Sequence, residues 1–246
     1  MDGNEVPFYF YKRWHIPFGT KPVVRVFLFS LAGIPLLIVD GILLYTFPAP
    51  AGRLATGEEG YIVLGGALAY LLIHFFLRKP ERLYLWGHEF SHLVLAKIFF
   101  RKIHQFHISS KSGGKVVLDR TNVMIDLAPY IFPLYSVGIG ITALVFRHSS
   151  PWVPDIYLAA ASFLFTMHLL FSTEGFLAGQ PDLRRSGRVF SAAVVLFFLL
   201  LWIPCLMAPG VSAGWGGAAG AYRAWLSAFQ DSCVGIFDLL RSLRYL

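Results

Sequence analysis

The residues of this chain with the clearest chemical potential are His88, Glu89 and His92, in the run His88-Glu89-Phe90-Ser91-His92. On a helix, positions four apart share a face, with Cβ atoms roughly 5–6 Å apart, so two imidazoles can grip one ion. Neutral imidazole suits Zn²⁺, which as a Lewis acid lowers the pKa of its water toward ~7. Glu89 projects at a neighbouring angle and can take the proton of that water as it attacks a carbonyl. The alternative is a pair of histidines hydrogen-bonded in a polar bundle core. It leaves unexplained a carboxylate inside an apolar helix, where a charge costs ~2.5–3.5 kcal/mol on insertion scales.

A catalytic zinc needs a third protein ligand and an open position. Three candidates follow downstream: His168, Glu174 and Asp182. Asp182 stands in the stretch Gly-Gln-Pro-Asp-Leu-Arg-Arg-Ser-Gly at 179–187. There Pro181 favours the start of a helix and pushes Gln180 toward an extended backbone. A carboxylate so placed can point sideways into a bundle; its ordinary role would be to cap the next helix. His168 can equally be a core histidine, and Glu174 a solvated residue near a helix end. Asp40, His74 and Asp126 are further polar groups in apolar surroundings. They read as lining a wet cavity or pairing neighbouring helices, outside the site.

The elements that must position these groups are set by composition. The chain has 246 residues and a net charge of +7, yet only 14% of it is charged and 56% is hydrophobic, with 23 Phe. Average soluble domains carry roughly 25% charge, so too few polar groups are available to cover every surface helix. This excludes an ordinary soluble enzyme, a disordered chain and a nucleic-acid binder. A multi-pass integral membrane protein remains. The expected fold is an all-α bundle of about six transmembrane helices in a single domain over 1–246. Spans are expected at 26–47, 61–77, 83–100, 123–146, 156–178 and 189–208, each judged against the ~20 apolar residues that cross a bilayer.

The N-tail 1–25 mixes aromatic and basic residues like a segment resting in the headgroup layer, and shows no cleavage pattern. Pro129 and Pro133 should leave the start of the fourth helix irregular. Residues 103–120 carry β-branched residues and a Lys-Ser-Gly-Gly turn signal, which predicts a β-hairpin after the metal-bearing helix. A free edge of that hairpin suits an unwound substrate segment adding as a strand. At the C-terminus, 211–246 reads as a glycine-rich joint followed by an interfacial amphipathic helix, with apolar residues at helical spacing from Trp225 to Leu240.

A HExxH motif in a hydrophobic span, then a hairpin, then an aspartate opening a later helix resembles the site-2-protease-like intramembrane zinc metalloproteases. The likeness runs over roughly residues 83–200 and is nearest the divergent, small branch of that family. It implies a zinc metallopeptidase that hydrolyses peptide bonds in or next to a substrate's transmembrane segment. It implies Zn²⁺ on His88, His92 and Asp182, with Glu89 as the catalytic acid/base. The family's usual distal pattern ends in Leu-Asp-Gly-Gly, where this chain has Gln-Pro-Asp-Leu-Arg-Arg. The implied partners are a membrane-protein or peptide substrate and the bilayer, in a cell inner or plasma membrane with the hairpin on the cytosolic side. Two other classes stay open. One is a membrane di-iron oxidase or hydroxylase, with His104 and His107 as a second histidine pair. The other is a catalytically silent pseudoprotease or transporter that binds a membrane partner.

Overall fold

The computed structural model describes residues 22–47, 57–109, 113–146 and 149–243. Most of the expected N-tail, residues 1–21, and the hairpin turn at 110–112 lie outside these. In chain order the elements are α1 (Pro22–Thr46), α2 (Gly57–Phe76), α3 (Glu81–Ile98), β1 (Ile103–Ser109), β2 (Gly113–Leu118), α4 (Val123–Ile131), α5 (Leu134–Phe146), α6 (Val153–Leu177), α7 (Pro181–Arg185), α8 (Arg188–Met207) and α9 (Gly214–Leu243).

Among the described residues, four helices are long and apolar enough to cross a membrane: α1, α2, α6 and α8. Their outer faces agree with that role. Phe27, Leu31 and Ile38 of α1 and Tyr61, Leu68 and Phe75 of α2 are all exposed, a band of apolar surface that water would not tolerate. A fifth crossing is made if α4 and α5 count together. They meet at Phe132 and Pro133 with a bend of 67°, as the two prolines require: Pro133 cannot donate the next helical hydrogen bond.

The expected crossing at 83–100 is α3, and it lacks the character of a span. Glu81, Arg82, Glu89 and Lys97 all lie on it. Its buried face holds His88, Glu89, Ser91 and His92, so its polar side is turned to protein. α3 packs against α4 and the hairpin, while α2 runs along α6 and α1 along α8. Among the described residues the helical membrane bundle thus has four or five candidate spans, and the expected sixth is not among them.

β1 and β2 pair antiparallel, from Ile103 opposite Leu118 to Ser109 opposite Gly113, with an irregularity between Ile103 and Gln105. Val116 and Leu118 bury against Ala96 of α3 and Ile125 of α4, which fixes the hairpin on α3. A second departure is at the C-terminus. The glycine-rich stretch is mostly helical, since α9 begins at Gly214. Ala218, Ala221 and Trp225 form its buried side, and the Trp225 indole donates to Leu43 O at 2.8 Å. Packing of this kind outweighs the ~1 kcal/mol that each interior glycine costs a helix.

Candidate metal centre

His88 and His92 stand on one face of α3 with their rings 5.1 Å apart, the consequence of i,i+4 spacing. Both are buried, at 4% and 3% exposure. His92 Nδ1 lies 2.7 Å from Ile125 O. A carbonyl only accepts, so Nδ1 carries the proton and the Nε2 lone pair is left for a ligand. Ile125 is itself fixed: its N–H donates to the side chain of Asn122, the N-cap of α4, at 2.8 Å. The partner at His88 Nδ1 is the Tyr84 hydroxyl at 3.4 Å, one helical turn earlier.

The third donor arrives from far downstream through a specific turn. Gly179 has φ +65°, a value that glycine adopts without steric cost. Its N–H bonds Phe176 O, and Gln180 N–H bonds Gly175 O, the paired closure that ends a helix with a left-handed residue. Gln180 is then extended, with φ −52° and ψ 142°, and Pro181 opens α7. Leu183 anchors this short helix in a core with Leu127, Tyr130, Ile131 and Val194. Asp182 is thereby turned inward, 5% exposed. The expected capping role falls away, because the N-cap of α7 is Gln180 and that of α8 is Gly187.

Asp182 Oδ2 sits 3.4 Å from His92 Nε2 and 3.9 Å from His88 Nε2. Tetrahedral metal bonds of ~2.0–2.1 Å place ligand atoms about 3.3–3.4 Å apart, so one distance already fits and the other is longer by about half an ångström. These three residues form a buried group that can hold a metal ion. Burial acts to raise the Asp182 carboxyl, but His92 and His88, when protonated on the nitrogens that face it, hold it well below the usual carboxylate value by their charge and hydrogen bonds; a bound cation would take the place of those protons. Its other oxygen lies 3.3 Å from Arg185 Nη1, which also bonds Asp126 at 2.9 Å. Thr121 donates to the same Asp126 oxygen at 2.6 Å. Asp126 thus pairs a neighbouring helix, α7, through Arg185, which also reaches Asp182.

The other two third-ligand candidates are engaged elsewhere. His168 Nε2 bonds Tyr130 O at 2.9 Å, as a core histidine does. Glu174 is bound by Lys79 and by His74 Nε2, and its side chain is 42% exposed.

Glu89, next to His88 in the chain, is 1% exposed, and its Oε1 has no hydrogen-bond partner. Strand β2 presses on it: a Cβ added to Gly114 would come within 2.8 Å of Glu89 Cδ and Oε1. Next to His88 is a cavity of about 20 Å³ lined in part by Tyr84, Gly87, Pro129 and Phe132, room for about one water. Sequence reasoning did not single out Tyr84, Gly114 or Tyr130 for this neighbourhood. Only Tyr84 carried a signal, its position four residues before His88.

Comparison of the chain with family models, with curated proteins and with solved structures finds no match in any of the three.

Proposed function

We propose that this protein is a zinc endopeptidase that hydrolyses peptide bonds within or beside transmembrane segments of other membrane proteins, as the site-2-protease-like enzymes it resembles do. The observation that carries the reading is the buried convergence of His88, His92 and Asp182 beside a Glu89 carboxylate oxygen with no partner. When bound by these three residues, zinc supplies Lewis acidity and brings its water toward a pKa of ~7. Glu89 Oε1 is placed to accept the proton as water attacks the scissile carbonyl carbon. The same carboxyl then returns that proton to the leaving amine. In this reading α3 sits at membrane depth shielded by its neighbours, as a helix with a polar face must.

Two histidines and one carboxylate also suit a mononuclear iron centre. Glu89 favours hydrolysis, where a general base has a direct role. The di-iron alternative draws on His104 and His107, which are exposed on β1 and belong to no metal-binding group among the described residues. A silent binding protein or transporter would leave the buried, unpartnered Glu89 without a role.

The test is metal analysis of the protein purified in detergent, with cleavage of a transmembrane peptide. About one zinc per chain is expected. Glu89→Gln should keep that zinc and slow cleavage by ~10²–10⁴-fold, the usual worth of a positioned base. Two irons, or wild-type cleavage by the glutamine variant, would overturn the reading.

A further inference from the structure

Tyr130 is 1% exposed and its hydroxyl is buried with no hydrogen-bond partner. A buried hydroxyl without a partner costs free energy, so it calls for a reason. Its surroundings supply one. The Tyr130 ring meets His88 edge to face, with centroids 5.4 Å apart and planes at 87°. A Cβ placed on Gly175 would lie 3.2 Å from Tyr130 Cε1 and 3.7 Å from the hydroxyl. The phenol therefore runs past the end of α6, where the chain turns toward Asp182, and the glycine leaves it room.

The backbone under this side chain is held from two sides. His168 Nε2 bonds Tyr130 O at 2.9 Å, and the Trp202 indole donates to Ile131 O at 2.8 Å. Tyr130 is thus a buried donor on a rigid mount, against His88. Those are the conditions under which a hydrogen bond contributes most to a developing charge.

We propose that the Tyr130 hydroxyl is a catalytic residue that donates a hydrogen bond to the oxyanion formed on the scissile carbonyl. The proposal rests on the endopeptidase reading above. In the addition step the water oxygen bonds the carbonyl carbon, its proton passes to Glu89, and the carbonyl π pair moves onto oxygen. That oxygen takes the Tyr130 hydrogen bond, and the phenol keeps its proton. In the collapse step the C=O re-forms, the C–N bond breaks, and the nitrogen leaves with the proton from Glu89. The products are a carboxylic acid and an amine, which exchange a proton on release.

Tyr130→Phe removes only the hydroxyl and keeps the ring against His88. Three measurements are made on detergent-purified protein: zinc content, kcat and KM on a transmembrane peptide, and the affinity of a non-hydrolysable phosphinic peptide, whose tetrahedral oxygens imitate the oxyanion. Zinc content should stay at the wild-type level. The rate constant kcat should fall by ~10²–10³-fold, the worth of one oxyanion donor, with KM nearly unchanged. Phosphinic-peptide affinity should fall at least tenfold. Equal kcat and equal phosphinic-peptide affinity in the two proteins would overturn the assignment, and so would loss of zinc, which would mark Tyr130 as structural. In both cases the endopeptidase reading stands as long as Glu89→Gln is inactive. A wild-type protein with neither zinc nor cleavage removes that reading and this proposal together.

Discussion

Asp182 turns two faces to its surroundings, and each can be tested apart from the other. Oδ2 faces the imidazoles and Oδ1 faces Arg185, whose guanidinium also holds Asp126. Replacing Asp182 by alanine removes a ligand but leaves Arg185 paired, so no buried charge is stranded, and stranding one is the costly event. Asp182→Ala should therefore lose zinc and cleavage together. Compared with the zinc-free wild type, its stability, followed by circular dichroism, should change by no more than ~1 kcal/mol, the scale of a single lost hydrogen bond. Glu174→Gln and His168→Phe should both retain zinc, since neither carboxylate nor ring joins the group. Retention of zinc in Asp182→Ala, with loss in either of the others, would reassign the third ligand. Sequence narrowed this ligand to three residues but could not choose among them. The choice is made by the turn at Gly179, whose positive φ exists only in the folded chain.

The hairpin acts on the centre through its backbone. Val116 and Leu118 pin β2 to α3 and α4, and Gly114 is the point of closest approach to Glu89. A side chain there must displace either the strand or the carboxylate. Gly114→Val should keep zinc, because no ligand is touched, yet slow cleavage by tenfold or more by moving Glu89 off its line. Unchanged cleavage in a folded Gly114→Val protein would show that the strand yields and that Glu89 is not set by it. The hairpin was legible in its β-branched run, and the α4–α5 break in Pro129 and Pro133. The difference at α3 was also written in the residues: Glu81, Arg82, Glu89 and Lys97 mark a helix that needs protein around it. The helical glycines of α9 were not legible, because burial of Ala218, Ala221 and Trp225 decides them. Tyr130 was not singled out for the same reason. Whether a hydroxyl has a partner is a property of its neighbours, which the sequence does not list.

Across the whole molecule, apolar side chains point outward on α1 and α2 while the densest polar group lies inside, the inverse of a soluble enzyme. Lipid offers little drive for helices to associate, so packing and polar links between them carry more of the stability. With an ion bound, the group of His88, His92 and Asp182 would be such a link. It would join α3 to α7, and α7 is tied to α8 by the Ser191 hydroxyl, which donates to Leu183 O at 2.8 Å. An ion that binds only the folded state stabilises it by RT ln(1 + [L]/Kd), which is ~4 kcal/mol when the ion stands at a thousand times Kd. For a chain of this length, each kcal/mol moves the midpoint by ~2–4 °C. Stripping the metal with a chelator should thus lower the thermal midpoint in detergent by about 10 °C, and added zinc should restore it. Glu89→Gln should show the same shift, since it keeps all three ligands. Asp182→Ala should show almost none, its midpoint already near that of the stripped protein. Chelation that left the wild-type midpoint in place, with the metal measurably gone, would mean that α7 is held on α4 and α8 by Arg185 and the Leu183 core without help from the ion. The ion would then serve chemistry without serving the fold.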